Sequence, residues 1–303
     1  MPINEIAYSQ HLTEKLDKAV SQKAQTGIFA DNALRAKFIG AKTVNIPVMG
    51  MSGLGDYDRD TGFVRGSVSV SHTPFTLQQD RGCSFSIDAQ DVDESGIASF
   101  AAEVSGEFVR TKVIPETDAY VLSKLAGVAI GNSKTVTGTP ATGAYKMLVE
   151  AIAKAQDAVG YDEELVAFVD GTFLAALEAT PEISRYLSIG EFKKGEITTK
   201  VKMLNNVPVL PVESSRMKTA YDFHDGSAEK FGFTPAATGY KNIGLLVVPK
   251  RVASLVKKTE EIRIFPPKQN LNADAWKIDY RIYYDLFVKD SLKDGIVTYT
   301  YEK

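Results

Sequence analysis

The sequence predicts an α+β fold in which an inserted α/β unit interrupts a set of long strands. Two observations frame it. Apolar residues alternate with period two from Val44 to Asp88, recur at helical spacing from Ile97 to Phe108, and return to period two from Trp276 to Tyr284. Between the helix and the closing strands lies a stretch that mixes both periods and begins with a run of turn residues.

The opening of the chain is polar. Leu12, Leu16 and Val20 recur every four residues and mark a short amphipathic helix, whereas Gln25 to Ala41 has weak periodicity and reads as an arm. Phe29 and Phe38 in that arm need a surface to cover them. The first twenty residues lack the apolar centre of a signal peptide. No run reaches the roughly 18 apolar residues of a membrane-spanning helix. The expectation is a soluble protein of a reducing cytoplasm, with no membrane partner.

From Val44 to Asp88 the chain reads as a long hairpin. Val44, Ile46 and Val48 alternate on the outgoing strand; Val68 and Val70 alternate with Ser67, Ser69 and Ser71 on the return. Such a weakly apolar ribbon is marginal alone in water, and its edges invite pairing. Either the rest of the chain or a neighbouring subunit has to hold it.

The next segment carries the clearest helix. Ile97, Phe100, Ala101, Val104 and Phe108 form one stripe, with Asp93 or Ser95 as N-cap. Pro115 breaks or restarts that helix, and Gly127 is its expected stop. Gly131 to Gly143 reads as a linker. A helix follows from Tyr145 to Gly160, then a buried-type strand at Leu165 to Val169 and a helix from Thr172 to Glu178. Val207 to Val212 and Ile243 to Val248 read as central strands, and Pro249 as the start of a short helix. In the closing strands Trp276, Ile278, Tyr280, Ile282 and Tyr284 share one face, with Asp279, Arg281 and Asp285 on the other; Gly295 to Tyr301 is the last strand.

Bulk composition narrows function. At 303 residues and 44% hydrophobic the chain can bury a large core, and a net charge of −3 argues against a protein that grips nucleic acid through a basic face. Cys83 is the only cysteine, so neither an intramolecular disulfide nor a thiolate metal cage is available. His11, His72 and His224 share no metal-ligand spacing, and no nucleophile-elbow motif occurs. Catalytic residues, metals and cofactors are therefore expected to be none. Cys83 reads as a packing residue, and Lys250, Arg251, Lys257, Lys258 and Arg263 as a solvated helix face.

The stretch GLGDYDRDTGF, Gly53 to Phe63, allows three readings. A calcium loop begun at Asp56 needs glycine at its sixth position and glutamate at its twelfth, and finds Thr61 and Ser67. A phosphate loop needs a helix after its glycines, but strand follows, and Asp56, Asp58 and Asp60 would repel phosphate. What remains is an exposed hairpin tip. Asp56, Tyr57, Asp58, Arg59, Asp60, Phe63 and Arg65 mix charge and aromatic surface as contact sites do.

The order of elements, with SGLGDYDRDTGFVRGSVSV, TLQQDRGCSFSID, PETDAYVLSKLA and DYRIYYDLFVKDSLKDGIV, resembles the major capsid proteins of tailed bacteriophages. These share the Hong Kong ninety-seven-type capsid fold with encapsulins. The resemblance spans the full length. It implies an N-arm (1–42), an extended β-hairpin E-loop and its base (43–88), a P-domain with a long spine helix (89–131 and 262–303), and an inserted A-domain (132–261). It implies a head protein that self-assembles into pentamers and hexamers of an icosahedral shell around double-stranded DNA. The shell would form in the host bacterial cytoplasm and end in the virion, with a scaffold protein, a portal and a possible decoration protein as partners. The E-loop tip would lie on an adjacent subunit. One branch of the family welds its shell through a lysine in this loop; Gly50 to Gly66 contains none, which argues for non-covalent contacts. The chain starts almost directly with the arm, so a separate scaffold is expected. An encapsulin-type compartment is the alternative, and a cytoplasmic α/β enzyme using residues 142–248 a more remote one.

Overall fold

A computed structural model of the chain describes residues 24–30, 43–60, 62–90, 100–180, 188–194, 197–270 and 273–302. The helix expected over Leu12 to Val20, together with His11, Phe38, Asp93 and Ser95, lies outside them. Among the described residues no helix is long and apolar enough to cross a membrane.

The alternating stretch divides between two sheets. β1 (Thr43–Met51) and β2 (Val68–Thr76) pair antiparallel as a two-stranded ribbon. β3 (Gln79–Asp88) leaves that ribbon after two residues and joins a different sheet. Its strict alternation of half-buried and exposed positions is that of a strand covered on one face.

α1 (Phe100–Phe108) runs into a π-helical turn, Val109–Val113, which hands over to α2 (Ile114–Gly131). The expected break at Pro115 takes this form. A proline ring clashes with the carbonyl four residues back, and the wider turn just ahead of it relieves the crowding. Pro115 itself sits in the first turn of α2, where a missing N–H matters least. The expected stop at Gly127 needs correction, because α2 runs on to Gly131. Val128 and Ala129 continue its packed stripe, and one glycine costs a helix only about 1 kcal/mol.

The linker expected over Gly131 to Gly143 takes on helical turns from Pro140, and Gly143 still breaks them, with non-helical φ −152° and ψ 19°. Pro140 already opens α3 (Pro140–Val159), which ends on Gly160 at φ 94°, a conformation glycine adopts without strain. Then follow β4 (Leu165–Val169) and α4 (Gly171–Glu178), the latter capped by the Asp170 side chain accepting from Phe173 N at 2.7 Å. β5 (Ser188–Lys194), β6 (Ile197–Leu204) and β7 (Val207–Pro211) come next, then a small hairpin of β8 (Tyr221–Phe223) and β9 (Phe233–Pro235), and then β10 (Asn242–Pro249).

Pro249 closes a strand instead of opening a helix. After a turn, β11 (Ala253–Phe265) pairs with β12 (Ala275–Val288) from Ala253↔Val288 to Phe265↔Lys277, with a bulge between Lys257 and Thr259. Long-range pairing and burial of Leu255 and Ile262 override the local helical reading. The basic cluster is accordingly no helix face: Lys257 is buried and bonded to Glu260 at 2.8 Å. β11, β12 and β3 form one antiparallel sheet. The closing strand β13 (Val297–Tyr301) leaves these long strands and edges a six-stranded sheet ordered β13–β10–β4–β7–β6–β5.

That larger sheet explains the fully apolar strands. In β4 and β10, Val166, Phe168, Ile243, Leu246 and Val248 pack with Val121, Leu122 and Leu125 of α2. Leu165, Ala167, Val169, Leu245 and Val247 pack on the other face with Leu148, Ile152, Phe173 and Leu177 of α3 and α4. A sheet covered on both faces needs no polar side. Phe29 of the arm finds its cover here too, 6.2 Å between ring centroids from Phe168.

Candidate functional site

The residues singled out at the hairpin tip are all exposed. Beyond β1 and β2 the ribbon makes one more rung, Ser52 N to Ser67 O at 3.0 Å, reinforced by their hydroxyls at 2.8 Å. The chain then turns between Asp58 and Gly62. Gly62 N donates to Asp58 O at 2.8 Å, Asp60 N donates to Asp58 Oδ1 at 2.8 Å, and Gly62 takes φ +80°. The Asp58 carboxylate thus builds the turn itself. Tyr57 and Phe63 meet edge to face at 5.0 Å. Asp56, Arg59 and Arg65 stand out from the loop as exposed charges, and Thr61 lies outside the described residues. Around them Met51, Leu54, Phe63, Val64, Val68 and Val70 leave large apolar side chains uncovered, Leu54 and Phe63 almost completely.

The ribbon's root is the opposite in character. Leu77 is buried with Val256 and Tyr283 in a small separate core, with Phe75 and Phe287 packed against it. Tyr283 Oη donates to Leu77 O at 3.0 Å, and Gln78 N donates to Asp285 Oδ2 at 3.2 Å. Asp285, assigned by alternation to the polar face of β12, is fully buried. It lies where the ribbon root and α2 both cover the strand, and Tyr120 Oη and Lys124 Nζ satisfy it at 2.7 and 2.6 Å. Burial, then the bond to Asp285, pushes the Tyr120 hydroxyl far above the usual phenol range. Lys124 Nζ also lies 5.7 Å from the centre of the Phe75 ring. Sequence reasoning missed this anchor. Its one readable signal is Tyr120 and Lys124 four apart on one helical face.

Arg81 makes a second clamp. Nε meets Glu116 Oε1 at 2.6 Å, Nη1 donates to His224 O at 2.6 Å, and Nη2 to Gly232 O at 3.1 Å. β3, α2 and the β8–β9 hairpin are held by that one guanidinium. His224 contributes its carbonyl here, while its Nε2 lies 3.0 Å from Thr234 Oγ1 across the small hairpin. Cys83 sits half-buried on β3, and burial pushes its thiol up. Among the described residues no three His, Cys, Asp or Glu side chains stand close enough to share a metal ion. The tip is exposed, and the ribbon's root is held by a buried core and hydrogen bonds.

No protein-family model and no curated protein matches the sequence. Solved structures do. A structure from Mycobacterium phage Che8 is similar at TM-score 0.57 and 12% identity, over 91% of this chain and 90% of that one. The asymmetric unit of the bacteriophage PhiM1 mature capsid is similar at TM-score 0.56 and 14% identity, over 86% and 82%. A virus-like particle from Pyrococcus furiosus is similar at TM-score 0.55 and 10% identity, over 96% and 99%. The chain has the Hong Kong ninety-seven-type capsid fold.

Proposed function

We propose that this chain is the major shell subunit of a tailed-phage head, assembling as pentamers and hexamers into an icosahedral container for double-stranded DNA. One observation carries the reading: on a capsid fold, a 34-residue excursion from Thr43 to Thr76 holds its root in the subunit and leaves its distal apolar side chains uncovered. A monomer gains nothing from such a ribbon, whereas a shell gives it a neighbour to lie on. In this reading residues 1–42 are the N-arm, 43–88 the E-loop and its base, 89–131 and 262–303 the P-domain, and 132–261 the A-domain. Asp56, Tyr57, Asp58, Arg59, Asp60, Phe63 and Arg65 touch an adjacent subunit. A scaffold protein, a portal and a decoration protein are the further partners; assembly takes place in the bacterial cytoplasm and the product is the virion.

Negative-stain imaging of the expressed protein, alone and with a scaffold, tests this. Closed shells, tubes or isolated capsomers support it; a chain that stays monomeric across salt and crowding conditions overturns it. The similarity to the Pyrococcus furiosus particle, over almost the whole of both chains, favours one second reading, an encapsulin-type compartment. Purified particles carrying nuclease-resistant DNA fit the phage head, and particles carrying protein cargo fit the compartment.

A further inference from the structure

The register of the ribbon shows that its apolar side changes face halfway along. Residues directly opposite in an antiparallel pair project to the same side. One side carries Met51 with Val68, and Val70, near the tip, then Pro74 and the pair Thr43 with Thr76 toward the root. The other side carries Gly50 with Ser69, and Ser71, near the tip, then Phe75 toward the root. On the first side the large apolar side chains among these stand in the outer half. The second carries Phe75 toward its root and the small residues Gly50, Ser69 and Ser71 at its outer end, where Ser52 and Ser67 continue it.

The two halves meet different surroundings. At the root Phe75, on the second side, packs on Phe287 at 5.4 Å within its own subunit. At the outer end Met51, Val68 and Val70, on the first side, are 71%, 69% and 56% exposed. A ribbon packed on one body throughout would keep its apolar residues on one side, since strand periodicity is strictly two. The inversion therefore marks two seats on opposite sides of the ribbon.

We propose that the outer seat is the Met51–Val68–Val70 side, and that its occupant is a second copy of this chain presenting an apolar surface, while the serine side faces solvent. The proposal rests on the shell reading above and specifies which side of the ribbon makes the contact. The charges beside this seat argue for a second copy. Asp56, Asp58 and Asp60 outnumber Arg59 and Arg65, which disfavours nucleic acid or an anionic lipid surface. Mixed signs instead suit a near-neutral protein surface such as that of this chain, at net charge −3.

Two double variants separate the sides: Val68→Lys/Val70→Lys and Ser69→Lys/Ser71→Lys. Each places two lysines in the same exposed strand and changes the net charge equally; replacing valine also gives up strand propensity that replacing serine does not, so folding is checked for both. Circular dichroism and melting curves should match the parent for both. Sedimentation and electron microscopy at fixed concentration should show at least tenfold fewer particles for the valine variant and near-parental yield for the serine variant. Particles from the valine variant at parental yield, or equal loss from both, would overturn the assignment of sides while leaving the shell reading intact. If the parent chain stays monomeric, forming no shells, tubes or capsomers with or without scaffold, both readings fall.

Discussion

The hydroxyl of Thr26 donates a 2.6 Å hydrogen bond to Oδ1 of Asp118, ninety-two residues further along the chain. The Gln25 and Thr26 amides donate to the same carboxylate at 3.0 and 2.9 Å, and Arg216 Nη1 reaches it at 3.2 Å. Asp118 is fully buried on α2, so these donors are its compensation for lost water. Phe29, three residues on, fills the core between α2 and β4, and Ala30 bridges to Leu255 of β11. Seven residues, Ala24 to Ala30, therefore fasten α2 to both sheets.

Replacing Asp118 by Ala should destabilise the subunit by about 3 kcal/mol, because it leaves the Gln25 and Thr26 amides unpaired and Arg216 with only the exposed Glu213 as counterion. Thr26→Val keeps the volume and removes one bond, and should cost about 1–2 kcal/mol. Urea melts give both values, and hydrogen exchange should show residues 24–30 losing protection first. Equal, near-zero effects would mean the arm contributes little to the body.

The anchor at the ribbon root makes a coupled prediction. Lys124→Met leaves the buried Asp285 carboxylate without its cation and should cost about 3 kcal/mol, the low end for a broken buried pair, since the Lys124 side chain is 30% exposed. Adding Asp285→Asn removes the stranded charge and keeps an acceptor for Gln78 N and Tyr120. The double variant should recover more than half of the loss. A double-mutant cycle in urea measures this, and additive costs would show that the two side chains are not coupled.

Cys83 offers a chemical check of its reading as a packing residue. Its thiol is raised above the ordinary range first by burial, so the neutral form persists through neutral pH and the reactive thiolate is scarce. Alkylation at pH 7 should run at least tenfold slower than for a free peptide thiol and accelerate steadily toward and beyond pH 9. Fast labelling at pH 7 would point to an activated cysteine.

How far the sequence could be read depends on how local the signal is. β4 and β10 were legible because their neighbours in sequence share one environment. Pro249 misled because its consequence is set by β12, some thirty residues away, whose pairing turns the following stretch into β11. Asp285 misled for a related reason: alternation assigns it to a polar face, and only the approach of α2 and the ribbon root buries it. The exposure of the tip was legible because its glycines and closely spaced charges are a local signal. The change of apolar side along the ribbon was not, since it needs the pairing register, and a shift of one residue would reverse every assignment.

The tip makes the sharpest test of function. The Cβ that Gly55 lacks would lie 3.0 Å from Val64 Cγ2, so the two arms of the loop already run side by side there. Excising Asp56 to Gly62 can therefore be closed locally, with the Ser52–Ser67 rung left in place. Since these side chains are exposed, the subunit should keep its stability within about 0.5 kcal/mol. Assembly should behave differently. In a shell every subunit contributes one such tip, so even a weak contact is repeated through the particle, and its removal acts on all copies at once. Melting curves unchanged and regular particles lost is the expected pair of results. A destabilised monomer would show that the tip serves its own subunit's core, and normal particles would show that the contact lies elsewhere on the ribbon.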